Sequence, residues 1–388
     1  MAQDRRSEWD AIIVGGGPAG LSAALVLGRC RRRVLVLDGG RPRNAVSPAL
    51  HGFLTRDGIE PSELLRLGRE QLAAYPGVES LAMEAASARR SGSHFVVTLA
   101  DGSTCRARKL LFATGVTDRL PDIEGAAALY GKGVFHCPYC DGWEARGLPM
   151  AVYAQGCAGS GLARTLLGWT ADLVLCTDGP AAFPAEERRR LSRLGIGVRE
   201  ERLARLEGNG RLERLVFAHG PALPCAALFF NTGQAQGSSL PTGLGCEIGE
   251  DGAPATDDHG QTTVPGAYLA GDARHEAQLA IVAAGQGAAV AVAISKALLG
   301  DEFGEPARPL HRMDRPARNG RRSMSDTKGQ HTNEREANTT EEKKDEGQGE
   351  KAHAGASGPG TDNTSAGSGG RGGHRKRKGG KPDGEASR

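Results

Sequence analysis

The chain has 388 residues and a formal net charge of +3, and the charge is unevenly placed. Residues 301–388 carry 18 Lys+Arg against 15 Asp+Glu, so the remaining body is neutral, which argues against a nucleic-acid or membrane-surface binder. Beyond Leu310 there is no Leu, Ile, Val, Phe, Tyr or Trp, and such a stretch cannot bury enough apolar surface to offset its chain entropy. A folded portion of about the first 300 residues is expected, followed by a disordered, low-complexity tail over 301–388. The polar N-terminus runs straight into an apolar strand and does not read as a secretory signal. Of the eight cysteines only Cys137 and Cys140 are close in sequence, which points to a reducing, cytoplasmic setting with one pair doing chemistry.

In chain order, Asp10 to Val14 reads as a strand. The loop Gly15-Gly16-Gly17-Pro18-Ala19-Gly20 follows, then a helix to about Cys30 and a strand from Arg33 to Asp38, a βαβ pattern. Lys109 to Gly115 is a buried strand ending in a tight turn. A weaker copy of the opening unit begins at Met150: a strand to Ala154, the loop Gln155-Gly156-Cys157-Ala158-Gly159, a helix to about Trp169, and a strand from Asp172 to Cys176. Ala227 to Gly233 closes this second unit, and Ala267 to Asp272 is a further strand. The Ala-rich run Leu279 to Leu299 is interrupted by Gly285, Gln286, Gly287, Ser295 and Lys296, and reads as a buried amphipathic helix rather than a membrane span. The pattern predicts an α/β fold of two doubly wound, Rossmann-like modules.

Three motifs carry chemistry. Gly15-x-Gly17-x-x-Gly20, with its strand, its helix and Asp38 at the end of the next strand, is a dinucleotide-binding pattern. In it the first glycine permits the turn, the second lets a pyrophosphate reach the helix N-terminus, and the third packs helix on sheet. The second copy has Ala154 for the first glycine, and the acidic position falls on Thr177-Asp178-Gly179. Gly156, Gly159 and Asp178 are therefore candidates for a nicotinamide nucleotide, in a unit that equally reads as an inherited fold binding nothing. Cys137-Pro138-Tyr139-Cys140 can close a small redox disulfide with the first thiol as attacking group. Zinc would need further ligands, and Cys105, Cys157, Cys176, Cys225 and Cys246 are scattered, so no metal site is expected. A glutaredoxin-type tetrapeptide and an inert buried pair are the competing readings.

Gly15–Gly20, Ala113-Thr114-Gly115, Cys137-x-x-Cys140-Asp141-Gly142 and Ala270-Gly271-Asp272 occur in an order that resembles the low-molecular-weight thioredoxin reductase family of FAD-dependent pyridine nucleotide-disulfide oxidoreductases. The likeness covers about residues 8–300. Arg43-Asn44, His51-Gly52-Phe53-Leu54 and His136 are similar to the branch holding thioredoxin-reductase-like oxidoreductases and dithiol oxidases. The resemblance implies an FAD domain over 8–117 and 237–300, interrupted by an NAD(P)-type domain over 118–236 that carries the cysteines, and a homodimer. It implies a cofactor-facing set of Gly15, Gly17, Pro18, Ala19, Gly20, Asp38, Gly39, Asn44, His51, Thr114, Gly115, Gly271, Asp272, Leu279 and Ala280. It further implies that Cys140 faces the flavin, that Cys137 exchanges with substrate, and that Asp141, or alternatively His136, is the acid/base. Asp141 also reads as a helix cap, and His136 and His51 as packed or solvated residues. The family's His-Arg-Arg at the NADPH phosphate is replaced by Thr177-Asp178-Gly179, and its Arg-Gln before the final helix by Gln278-Leu279. The expected function is FAD-dependent thiol–disulfide exchange with a thioredoxin-like protein or a small dithiol or disulfide. Two alternatives stand beside it. One is an NAD(P)H-dependent thioredoxin reductase proper. The other, of a different class, is a flavin-fold scaffold whose basic run Gly369 to Lys378 binds nucleic acid.

Overall fold

The computed structural model describes residues 4–304; the tail with its basic run lies outside them. The chain opens with β1 (Asp4–Val14), α1 (Pro18–Arg29), β2 (Val34–Leu37), α2 (Pro61–Leu72), β3 (Val78–Leu81), β4 (Ala85–Ser91), β5 (His94–Leu99) and β6 (Thr104–Phe112). These form one sheet in the order β3-β2-β1-β6-β5-β4. β2, Val-Leu-Val-Leu, is buried on both faces, as a continuous apolar run in a parallel sheet requires. β6 is long enough to pair along one edge with all of β1. On its other edge β5 runs antiparallel beside Thr104–Ala107, and a late strand runs parallel beside Leu110–Phe112. β1 begins at Asp4 rather than at Asp10, because β6 extends beyond the apolar core and takes the polar residues as ladder partners, with a bulge between Asp4 and Glu8.

At β7 (Val116–Asp118) the chain leaves this sheet for a second one. It passes through α3 (Ala126–Leu129), β8 (Val134–Phe135), α4 (Pro138–Asp141), β9 (Met150–Tyr153), α5 (Gly156–Leu166), β10 (Leu173–Cys176), α6 (Ala185–Arg193) and β11 (Gly197–Arg199). An antiparallel trio of β12 (Leu203–Glu207), β13 (Arg214–Phe217) and β14 (Leu223–Pro224) precedes β15 (Ala227–Phe230). The second sheet, β11-β10-β9-β15-β8, is parallel throughout. β16 (Gln234–Gln236) brings the chain back antiparallel to β7, Gln234 opposite Asp118. Then come α7 (Leu240–Gly243), β17 (Ala267–Leu269), which is the late strand on β6, and α8 (Ala280–Phe303).

α8 lies against α1, and the approach is so close that a Cβ at Gly287 would collide with the Ala19 carbonyl. Its inner face, Ala283, Val290, Ala291, Ile294 and Leu298, completes the core over β1 and β2. The expected amphipathic character is only half present, since Ile281, Val292, Leu299 and Phe303 are exposed on the helix. Among the described residues α8 is the one helix long and apolar enough to cross a membrane. It also runs past the expected start of the tail at 301. Asp301 pairs with Lys109 at 2.8 Å, Glu302 pairs with Arg108 at 2.8 Å, and Gly304 (φ +70°) ends the helix, so residues 301–303 belong to the fold.

Candidate active site

The β1–α1 turn opens a cavity of about 760 Å³, within the range of cofactor sites. Gly15 (φ +113°) lies against Ala113 and Gly20 against the Gly15 carbonyl, and a Cβ at either would collide with backbone. A Cβ at Gly17 would instead meet nothing within 4 Å. Gly17 is also the N-cap of α1 and offers no side chain, so the first amides of that helix are left for a ligand in the cavity. Thr114 Oγ1, in the same wall, is buried without a partner. Open space at Gly17, an orphaned hydroxyl and an uncapped helix start fit a dinucleotide cofactor. Asp38, which also lines the cavity, is held by Arg69 at 2.9 Å. Farther along the wall are Gly39, Asn44, His51, Gly115, Gly271, Asp272 and the start of α8 at Leu279 and Ala280. Of the expected cofactor-facing set, Gly20 alone stands behind the wall, packing helix on sheet.

Cys137 and Cys140 are joined as a disulfide at α4. Cys140 lies in the cavity wall, whereas Cys137 does not. Cys137 is the N-cap of α4, and its Sγ accepts the Cys140 N–H at 3.1 Å, so the cap is the cysteine and not Asp141. Tyr139, between the two cysteines, and Trp143, three residues after Cys140, are 71% and 64% exposed. Asp141 lines the cavity; burial, with the Glu144 charge adding to it, pushes its carboxyl up to about 7. His136 is also in the wall. Burial and the Arg43 charge bring its imidazole down to about 4, so near neutral pH it carries no positive charge with which to favour a thiolate.

A polar cluster not evident in the sequence ties these elements together. Arg43 clamps Asp118 through Nε (2.8 Å) and Nη2 (2.6 Å), and reaches Asp272 (2.9 Å) and Gln278 (2.8 Å) through Nη1. Gln234 and Tyr130 donate to the same Asp118 carboxylate, at 2.9 and 2.7 Å. Burial works against that charge, but the Arg43 hydrogen bonds, the His136 ring 3.7 Å away and the Tyr130 hydroxyl hold the carboxyl down at about 2. Apart from Tyr130–Asp118, 12 positions apart, these contacts join residues 75 to 235 positions apart, a separation no local motif encodes.

The second unit lies apart from this cavity. Gly159 packs against the Ala154 carbonyl as Gly20 does against Gly15, and Gly156 stands at the N-terminus of α5. Asp178 is not free: its carboxylate accepts from Leu203 N–H (2.7 Å) and Tyr153 O–H (3.1 Å). Thr177 is buried and donates to the Gly179 carbonyl. Arg190 and Arg193 line a smaller cavity of about 300 Å³ with Cys157 and Glu187.

A dinucleotide cavity at the β1–α1 turn of one sheet, a second such module inserted in its chain and a cysteine pair at the cavity wall define a two-module disulfide oxidoreductase. The chain belongs to the pyridine nucleotide-disulphide oxidoreductase family, whose model matches residues 9–287, and to its thioredoxin reductase-like branch. It is similar to the crystal structures of HlmI (36% identity over 78% of this chain and 96% of that one, TM-score 0.74) and of an oxidoreductase from Agrobacterium tumefaciens (33%, 76% and 99%, TM-score 0.71). The thioredoxin reductase tcpT of Claviceps purpurea is 40% identical over 39% of this chain and 48% of its own length. The chain spans less than half the length of the curated relatives it matches first.

Proposed function

We propose that the protein is an FAD-dependent thiol–disulfide oxidoreductase that moves two electrons between a dithiol or disulfide substrate, the Cys137–Cys140 pair and the flavin. The observation that carries this reading is the disulfide's position, with Cys140 in the wall of the Gly15–Gly20 cavity and Cys137 outside it. Gly17 and the α1 N-terminus would take the pyrophosphate and Asp38 the adenosine ribose. Asp272 would hold the ribityl chain, and Thr114, Gly115 and Asn44 would lie near the ring. The α8 amides at Leu279 and Ala280 would meet the N1–C2=O2 edge. These assignments place the FAD domain in residues 8–117 and 237–300 and the inserted domain in 118–236. When bound, FAD supplies a two-electron acceptor and donor for the cysteine pair.

In the oxidising direction a substrate thiolate attacks Cys137 Sγ, the Cys137–Cys140 bond breaks, and Cys140 leaves as thiolate. A second substrate thiol then attacks the mixed disulfide and releases Cys137, whose sulfur is met by the Cys140 amide. Asp141, poised near neutrality, takes the proton of the attacking thiol and returns it in the reverse direction. Tyr139 and Trp143 offer an apolar, exposed rim to a thioredoxin-like protein or a small dithiol. A cytoplasmic, homodimeric enzyme fits this reading, with the exposed apolar side of α8 as the face for a second copy. The family at large pairs FAD with NAD(P)H. Here the Asp178 carboxylate is engaged within the protein and Thr177-Asp178-Gly179 offers no cation, which favours a dithiol as the electron source. The test is anaerobic addition of dithiothreitol to the purified protein. Yellow protein that bleaches, and that stops bleaching in Cys137→Ser, supports the reading. Colourless protein, or bleaching indifferent to both cysteines, removes it.

A further inference from the structure

We propose that Arg43, Asp118 and Tyr130 form a relay that fixes the tautomer of His136, placing the proton on Nδ1 and leaving Nε2 as a proton-accepting atom beside the cysteine pair. The argument is a count of donors and acceptors. Asp118 Oδ1 accepts from Arg43 and Gln234, and Oδ2 from Arg43 and Tyr130. With four donors converging on it the carboxylate is ionised, and the one hydroxyl hydrogen of Tyr130 is committed to it at 2.7 Å. The Tyr130 oxygen also lies 3.2 Å from His136 Nδ1. With its hydrogen spent, that oxygen can only accept, so Nδ1 must donate. An Nε2–H tautomer would set two lone pairs against each other at that distance. Turning the hydroxyl toward Nδ1 would face its oxygen lone pairs toward the Asp118 anion.

Phe230 packs against both rings, with centroids 6.0 Å from Tyr130 and 6.4 Å from His136, and so restrains their orientation. Burial also raises the Tyr130 hydroxyl above its ordinary range, which keeps the donor protonated. No protein group bonds Nε2 among the described residues, and His136 lies in the wall that holds Cys140 and Asp141. In this relay Arg43, Asp118 and Tyr130 are positioning residues that act through His136, while Arg43 also reaches Asp272 and Gln278. The function of the relay, though not its geometry, rests on the thiol–disulfide reading.

The test is two-bond ¹H–¹⁵N spectroscopy of the holoprotein labelled with ¹⁵N-histidine, at neutral pH. His136 is expected as the Nδ1–H tautomer, and Tyr130→Phe, which removes the acceptor at 3.2 Å and leaves only Asp118 Oδ2 at 3.7 Å, should raise its Nε2–H fraction. Tyr130→Phe should also slow dithiol exchange about tenfold, while Asp141 keeps its own pH dependence. An Nε2–H tautomer in the native protein overturns the relay without any variant, and so does a Tyr130→Phe spectrum unchanged from the native one. Nδ1–H in a protein whose cysteines are inert to dithiols upholds the relay and removes the proposed function instead.

Discussion

Asp141 keeps its proton where other carboxylates have lost theirs. Its carboxyl rises from 3.8 to about 7, through burial first and the Glu144 charge second. Between those values the native state binds a proton that the unfolded chain has released, so this group lowers stability as pH rises from about 4 to 7. Asp141→Asn should therefore melt a few degrees higher than the native protein at pH 8, a gain on the order of 1 kcal/mol, with little difference at pH 4. It should also slow dithiol exchange about 10²-fold and flatten the rate profile near pH 7. Thermal melts and exchange rates at the two pH values check both, and equal melting curves at pH 8 would contradict the burial argument. The two sulfurs should separate as cleanly. Cys137→Ser should leave a Cys140 thiolate that gives long-wavelength absorbance with bound FAD, and Cys140→Ser should give none. The reverse pattern would exchange their roles. The cysteines, Asp141 and most of the cavity wall could be read from the sequence because each sits in a short motif. Arg43 was visible only as a neighbour of Asn44. Its service to Asp118, Asp272 and Gln278 arises from folding, and it puts a cation where the resemblance leads one to look for arginine at position 278 itself.

At the scale of elements, the two glycine turns look alike in sequence and differ in what they face. The space beside Gly17 is open and its backbone is extended, so Gly17→Val fits the bare protein while obstructing a ligand at α1. The expected product is folded, colourless protein, checked by circular dichroism and absorbance. Gly156 has φ +62°, so Gly156→Val carries strain of roughly 1–2 kcal/mol, yet it should stay yellow because α5 does not border the larger cavity. Folded but colourless Gly156→Val would overturn the division of labour between the units. Element types were legible wherever apolar periodicity was strong, as in β2 and α1. The start of β1 was not, since its polar residues are paired by a partner strand some hundred positions away. The work of Asp178 was hidden for the same reason, since Leu203, at the start of the antiparallel trio, meets it only in the folded chain.

For the whole molecule, the electron source is the sharpest expectation. A 2′-phosphate brings about −2 of charge, and Thr177-Asp178-Gly179 meets it with no cation. NADPH should reduce the flavin slowly or not at all, NADH no worse, and a dithiol readily. Stopped-flow traces under argon decide it, and rapid bleaching by micromolar NADPH with NADH far slower would restore an ordinary reductase. The ribbon of β7 and β16 has a different kind of consequence. Entry to and exit from the second sheet are adjacent antiparallel strands, Asp118 directly opposite Gln234, roughly 5 Å apart. Whatever lies between those two residues hangs from the first sheet as a cassette whose ends already meet. Changes of length within the insert need not strain the first sheet, because its two ends stay paired whatever lies between them. Within that insert the stretch to Asp141 carries Tyr130, His136, Cys140 and Asp141 in the cavity wall, whereas the glycine unit from Met150 to Phe230 does not border the cavity. The nucleotide preference of that later stretch can therefore drift in evolution while the cavity stays as it is, and a chimera that exchanges it but keeps the cysteine segment is the natural way to give this scaffold another electron donor.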